Sequence, residues 1–158
     1  MSAVTIRDMV KVVEYHGLVP IPVDVDPHTL QPTPEDVLKA VSSRTRVLVV
    51  AHIYGTVSPL DALAAIARRH GILLIEDCAE ALFRAAPFSS TAASPPRSTS
   101  RATGTLLVEP GRWFRGSASA DVSMFSFGSI KTATALGGAT LRFSHQRLDL
   151  WRGECLRL

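Results

Sequence analysis

The chain is poor in cysteine, in lysine and in long apolar runs, and each shortage removes a class of protein. Only two cysteines occur in 158 residues, Cys78 and Cys155, and neither belongs to a CxxC pair. That excludes a disulfide framework and a cysteine-based zinc site, and no metal is expected; free thiols of this kind suit a reducing compartment. Wholly aliphatic runs such as Val47 to Ala51 fall far short of the ~20 residues that cross a bilayer, and the N-terminus lacks a charged-then-apolar signal pattern. A soluble, cytoplasmic protein with no membrane partner is expected. There is no GxGxxG or Walker fingerprint, so a generic nucleotide-binding sheet has no support.

What is present is globular composition: 46% hydrophobic and 20% charged residues in a length suited to one domain. The net charge of +3 is unevenly placed. Between Arg84 and Arg115 lie five arginines and one acid, Glu109, whereas the remainder carries 12 basic and 13 acidic residues. A basic stretch in a Ser/Thr/Pro/Ala-rich segment without aromatic interleaving is a poor footprint for nucleic acid, and no nucleic-acid partner is expected.

Periodicity organises the rest. Ile6, Met9, Val10 and Val13 fall on one helical face within Thr5 to His16, with Gly17 as the stop. Leu18 to Val25 mixes β-branched residues with Pro20 and Pro22 and is expected at a sheet edge or as irregular extended chain. Thr33-Pro34-Glu35-Asp36 supplies a cap, a first-turn proline and early acids for a helix to about Val41. Val47 to His52 reads as a strand buried on both faces. Ser58-Pro59-Leu60-Asp61 repeats the cap pattern, and Leu60, Leu63, Ala64 and Ala67 form the inner stripe of a helix ending at His70-Gly71. Ile72 to Glu76 is a second aliphatic strand, which makes a βαβ unit with parallel strands.

Beyond Phe83 the pattern dissolves, since Ala85 to Thr105 holds five Ser, four Thr, three Pro and five Ala. Such a segment cannot offset its ordering entropy by burial and is expected to be a disordered insertion. Strands return at Ala120 to Phe127 and near Ala139 to Phe143, with a helical tail expected from His145 to Leu158. The predicted organisation is an α/β part over residues 1–84, an insertion over 85–112, and the remaining α/β part over 113–158. The fold class is α/β, three-layered, with a mostly parallel sheet.

Ligands of open parallel sheets bind at the carboxyl ends of the strands, where helix N-termini and loops gather. His52, Asp77 and Ser126 end three successive strands there, and Lys131, one of three lysines, follows Ser126 by five residues. An acid, a hydroxyl and a lysine on one rim suit pyridoxal phosphate chemistry. The lysine amine condenses with the cofactor aldehyde, a carboxylate keeps the pyridine nitrogen protonated, and a hydroxyl among Ser126, Ser129 or Thr132 donates to the phosphate. Singly, each has a plainer reading: a turn acid, a solvated lysine, a satisfied buried histidine.

Four motifs in series carry a resemblance that these residues alone do not. They are Ala51-His52-Ile53-Tyr54-Gly55-Thr56, Ile66-Ala67-Arg68-Arg69-His70-Gly71, Ile75-Glu76-Asp77-Cys78-Ala79-Glu80, and the run from Asp121 to Thr132 (DVSMFSFGSIKT). The chain resembles the DegT/StrS family, fold type I aminotransferases dependent on pyridoxal phosphate and acting mostly on nucleotide-linked keto sugars. By position, the resemblance implies that Lys131 is the Schiff-base lysine and proton shuttle, Asp77 the pyridinium partner and Ser126 a phosphate ligand. Glu80 stands where relatives commonly have a glutamine touching the cofactor ring or its 3-oxygen. A glutamate there sets a negative charge beside a phenolate-like oxygen, which is unfavourable unless it is protonated or turned away. His52 joins Asp77, Glu80, Ser126 and Lys131 as a cofactor-site candidate. The resemblance also implies a homodimer, an amino donor and a keto-sugar substrate.

Relatives are longer at both ends, so the chain reads as the central portion of such an enzyme, with part of the large domain. The rival expectation is a catalytically inert α/β fragment that at most binds partners.

Overall fold

The computed structural model describes residues 1–81, 114–131 and 135–144. The expected insertion at 85–112, the helical tail from His145, Thr132 and Cys155 lie outside the described residues. Three α-helices and four strands are defined: α1 (Arg7–Tyr15), α2 (Pro34–Ala40), β1 (Val47–Ala51), α3 (Asp61–His70), β2 (Leu73–Asp77), β3 (Val122–Ser126) and β4 (Ala139–Phe143). The sheet runs β1-β2-β3-β4, with the first three strands parallel and β4 antiparallel to β3. No described helix is long and apolar enough to cross a membrane.

Helix boundaries follow local chemistry. Thr33 caps α2, its hydroxyl accepting from the Asp36 amide at 3.2 Å, and Pro34 opens the helix where its missing N–H is harmless. Gly71 ends α3 in the left-handed conformation at φ 64°. The second cap differs from expectation. Leu60, not Ser58, is the residue before α3, and no side chain caps it. Asp61 instead accepts from the Ser119 hydroxyl and fastens the helix to the segment before β3.

The core forms where α3 lies on the sheet. Leu60, Leu63, Ala64 and Ala67 of the predicted stripe are all buried, packed with Leu48, Val50, Leu74 and Val37 of α2. This removes one face of β1 and β2 from water and supplies most of the hydrophobic stabilisation of the described part. Val47, Val49 and Ala51 on the other face of β1 are only half-buried, so that strand is covered on one side rather than on two. Helix α1 differs likewise: Met9, Val10 and Val13 are its least exposed positions, yet none of its residues is buried, and Ile6 is exposed. Leu18 to Val25 forms no strand. Its single ladder contact is the Ser2–Val23 bridge, as two prolines in eight residues predict.

Candidate functional site

Strand register decides which side chains share a face. Val50, Glu76 and Ser123 are aligned across β1, β2 and β3, and the next row is Ala51, Asp77 and Met124. Side chains alternate along a strand, so Glu76 and Asp77 point to opposite faces although they are neighbours. Ser126, two residues past Met124, shares the face of Asp77. The rim is closed by backbone bonds: the His52 amide donates to the Asp77 carbonyl at 3.0 Å and the Cys78 amide to that of Met124 at 2.8 Å. After β3 the chain turns sharply, the Lys131 amide donating to Gly128 and that of Phe127 to Gly138, which keeps Lys131 beside the strand ends.

On the Asp77 face, burial raises the Asp77 carboxyl above its ordinary value. The Ala79 amide, which donates to Oδ1 at 3.0 Å, and the positive charges of Lys131 and His52 oppose that rise, while Glu80 adds to it. Lys131 therefore lies close enough for its cation to act on Asp77. Asp77 and Ser126 end β2 and β3 on one face at the carboxyl edge of the parallel strands, and the charge of Lys131 acts on Asp77 there.

The sign of the Asp77 shift yields a test. A carboxyl held above its ordinary value contributes stability below the unfolded value, and that contribution is lost as pH rises through the folded one. Asp77→Asn, which mimics the protonated group, is expected to melt higher than the parent at pH 7 to 8. The difference should shrink below the ordinary carboxylate value of 3.8. Thermal melts across pH check this, and an unchanged difference at every pH would refute it.

Glu80 is exposed and its Oε2 accepts from the Tyr54 amide at 2.7 Å. Tyr54 (φ 53°) and Gly55 (φ 73°) both occupy the left-handed region in the turn after β1. The carboxylate is engaged by that turn, which offsets part of the strain of a left-handed tyrosine.

The opposite face holds a group that sequence reasoning missed. Glu76 is fully buried and accepts three hydrogen bonds: from His52 Nε2 at 2.7 Å, the Ser123 hydroxyl at 2.7 Å and the Ser117 amide at 2.8 Å. Burial pushes its carboxyl upward, but the bonds from His52, Ser123 and Ser117 together outweigh burial and hold it below the ordinary value. An ionised carboxylate only accepts, so Nε2 of His52 carries the proton. His52 is buried, edge-on to Phe114 at 5.4 Å between ring centroids, and its Nδ1 has no partner among the described residues. The histidine ring thus faces Glu76 and acts on the Asp77 carboxyl through its field. The available signal was a carboxylate near the end of an otherwise aliphatic strand, with a histidine two residues past its register partner Val50 on the neighbouring strand and so on the same face.

His52, Glu76 and Cys78 also place possible metal-ligating atoms within 4.8 Å of one another. The donor chemistry does not favour a cation. Glu76 is already occupied by three donors, and burial raises the Cys78 thiol far above its ordinary value, reinforced by the charge of Glu76, so the thiolate a metal needs is strongly disfavoured.

This geometry can be compared with known proteins. The profile of the DegT/DnrJ/EryC1/StrS aminotransferase family matches residues 1–148. The L-glutamine:2-deoxy-scyllo-inosose aminotransferase of Micromonospora echinospora is 59% identical over 63 residues, 40% of this chain and 15% of that enzyme. The structure of S. venezuelae DesV in complex with a ketimine intermediate superposes with a TM-score of 0.67 at 25% identity, over 95% of this chain and 34% of that one. DesI in the presence of its TDP-sugar product gives 0.69 at 26% identity, over 94% and 31%. The chain thus spans about 15% of the curated relative and about a third of the solved structures. The fold is accordingly the expected one, a mostly parallel α/β sheet matching part of the fold type I aminotransferases. A profile match over residues 1–148 places this chain in the DegT/DnrJ/EryC1/StrS aminotransferase family.

Proposed function

We propose that this chain carries the cofactor-facing part of an aminotransferase that uses pyridoxal phosphate to aminate a keto sugar, nucleotide-linked in the reading its resemblance favours. The observation that supports it is the placement of the half-buried Asp77 within the field of Lys131 at the carboxyl end of the parallel strands, beside Ser126. The residues suit the group chemically. Asp77 offers a desolvated carboxylate of which only Oδ1 is engaged among the described residues, and Lys131 supplies an amine at the same rim. Ser126 supplies a hydroxyl there.

When bound, the cofactor supplies an aldehyde for attachment and a ring that accepts electrons from the substrate carbon. The protein's own part is then divided between the two faces. Lys131 Nζ is the point of covalent attachment and the base that moves the proton at the substrate carbon. Asp77 holds a proton on the ring nitrogen, and the low-dielectric setting that raises its own proton affinity strengthens that bond. Ser126 Oγ donates to the phosphate. Glu80 acts by fixing the Tyr54 turn at the same rim, and His52 by its field on Asp77. A cytoplasmic homodimer is part of the proposal, and L-glutamine is the first amino donor to test, because it stands in the names of curated relatives.

Incubation with pyridoxal phosphate, borohydride reduction and peptide mapping test this reading. A single adduct on Lys131, abolished by Lys131→Ala with the fold retained, is expected. No adduct, or label spread over the exposed Lys11 and Lys39, would instead support the catalytically inert fragment.

A further inference from the structure

Glu76 is an expensive way to hold a sheet together. Replacing a buried ionic group by apolar residues of similar volume is often neutral or stabilising, so packing alone does not account for a carboxylate here. What a carboxylate adds is direction. Its three donors come from three places: His52 after β1, Ser123 within β3, and the Ser117 amide in the segment entering β3. Arg142 of β4 bonds the Ser117 carbonyl and the Ser144 hydroxyl, so β4 is linked to this group indirectly, through Ser117. The fit around it is close: a Cβ on Gly116 would lie 3.1 Å from Glu76 Oε2.

Residue 77 follows on the same strand with its side chain reversed. Three bonds that fix the Glu76 side chain therefore fix the direction in which the next Cα–Cβ bond leaves the opposite face. We propose that Glu76 is a positioning residue for the reaction: through the His52, Ser123 and Ser117 bonds it aims Asp77 at the cofactor ring nitrogen. This rests on the reading of Asp77 given under the proposed function.

A double-mutant cycle on the intact 158-residue chain tests it, with pyridoxal phosphate affinity read by absorbance titration and urea stability measured in parallel. Residues that act as a unit couple energetically, so Glu76→Gln is expected to weaken cofactor binding about tenfold in the parent. In the Asp77→Asn background, where aim no longer matters, the same change should cost less than about twofold. Should Glu76→Gln fail to fold, Ser123→Ala removes one of the three bonds and enters the same cycle, with an expected loss of about threefold in the parent only. Equal losses in both backgrounds would overturn the positioning role while leaving the aminotransferase reading intact. Failure of the parent chain to bind pyridoxal phosphate would overturn both.

Discussion

Gly116→Ala is expected to destabilise the protein by roughly 2–6 kcal/mol, adding about 1–3 for a left-handed non-glycine residue to about 1–3 for overpacking. At φ +87° the backbone of Gly116 sits where an L side chain is strained, and there is no room to relax. An added Cβ would stand 2.2 Å from the Ser123 hydroxyl oxygen and 2.5 Å from its Cβ. Ser123 cannot retreat without breaking its 2.7 Å bond to Glu76, and Glu76 cannot follow without loosening His52. Urea denaturation of the two proteins checks this, and a change of less than about 1 kcal/mol would show that the segment from Phe114 to Ala120 is free to move as a unit. Gly71→Ala supplies a contrast. It shares a positive φ, 64°, but nothing lies within 4 Å of the added carbon, so only the backbone part of the cost remains.

The difference between these glycines shows what a sequence discloses and what it does not. Gly71 was legible as a helix stop because its role is local: it follows the last turn of α3 and nothing distant is needed. Thr33 and the α3 stripe were legible for the same reason, each depending on neighbours within a turn or two. That His52, Asp77 and Ser126 stand at one edge was legible because the carboxyl ends of parallel strands lie together, so three strand ends in series identify a rim. The Glu76 cluster had no such rule. Its partners lie 24, 41 and 47 residues away in the chain, and hydrophobic patterning treats a terminal acid as the end of a strand rather than as part of the interior. The Ser58 cap failed because a short-range motif lost to a tertiary bond, that of Ser119 to Asp61. For β4 the residue range was legible but not the direction, since pairing sense depends on the connection from Lys131 to Ala139 and not on the strand's own pattern.

Removal of the Glu76 carboxylate altogether should cost more than loss of any single partner. Glu76→Ala leaves the buried His52 Nε2 and Ser123 hydroxyl and the half-buried Ser117 amide without the acceptor they share, and breaking a buried ionic arrangement in this way typically costs about 3–5 kcal/mol. The loss is expected to depend on pH in a direction the hydrogen bonds dictate. Glu76 is held below its ordinary value, so its contribution is fully present above the unfolded value, near 4.5, and is lost as pH falls through the folded one. The gap in unfolding free energy between parent and Glu76→Ala should therefore be widest near neutrality and narrow in acid. Asp77→Asn should behave oppositely, gaining relative stability as pH rises, because burial outweighs the favourable contacts of Asp77 and the reverse holds for Glu76. Two adjacent carboxylates on one strand then titrate with opposite effects on folding: one stabilised in its charged form within the sheet's packed face, the other kept at a cost on the opposite face. Urea titrations of both variants between pH 3 and 8 decide the matter, and parallel rather than opposed profiles would mean that the two faces of β2 are not electrostatically distinct.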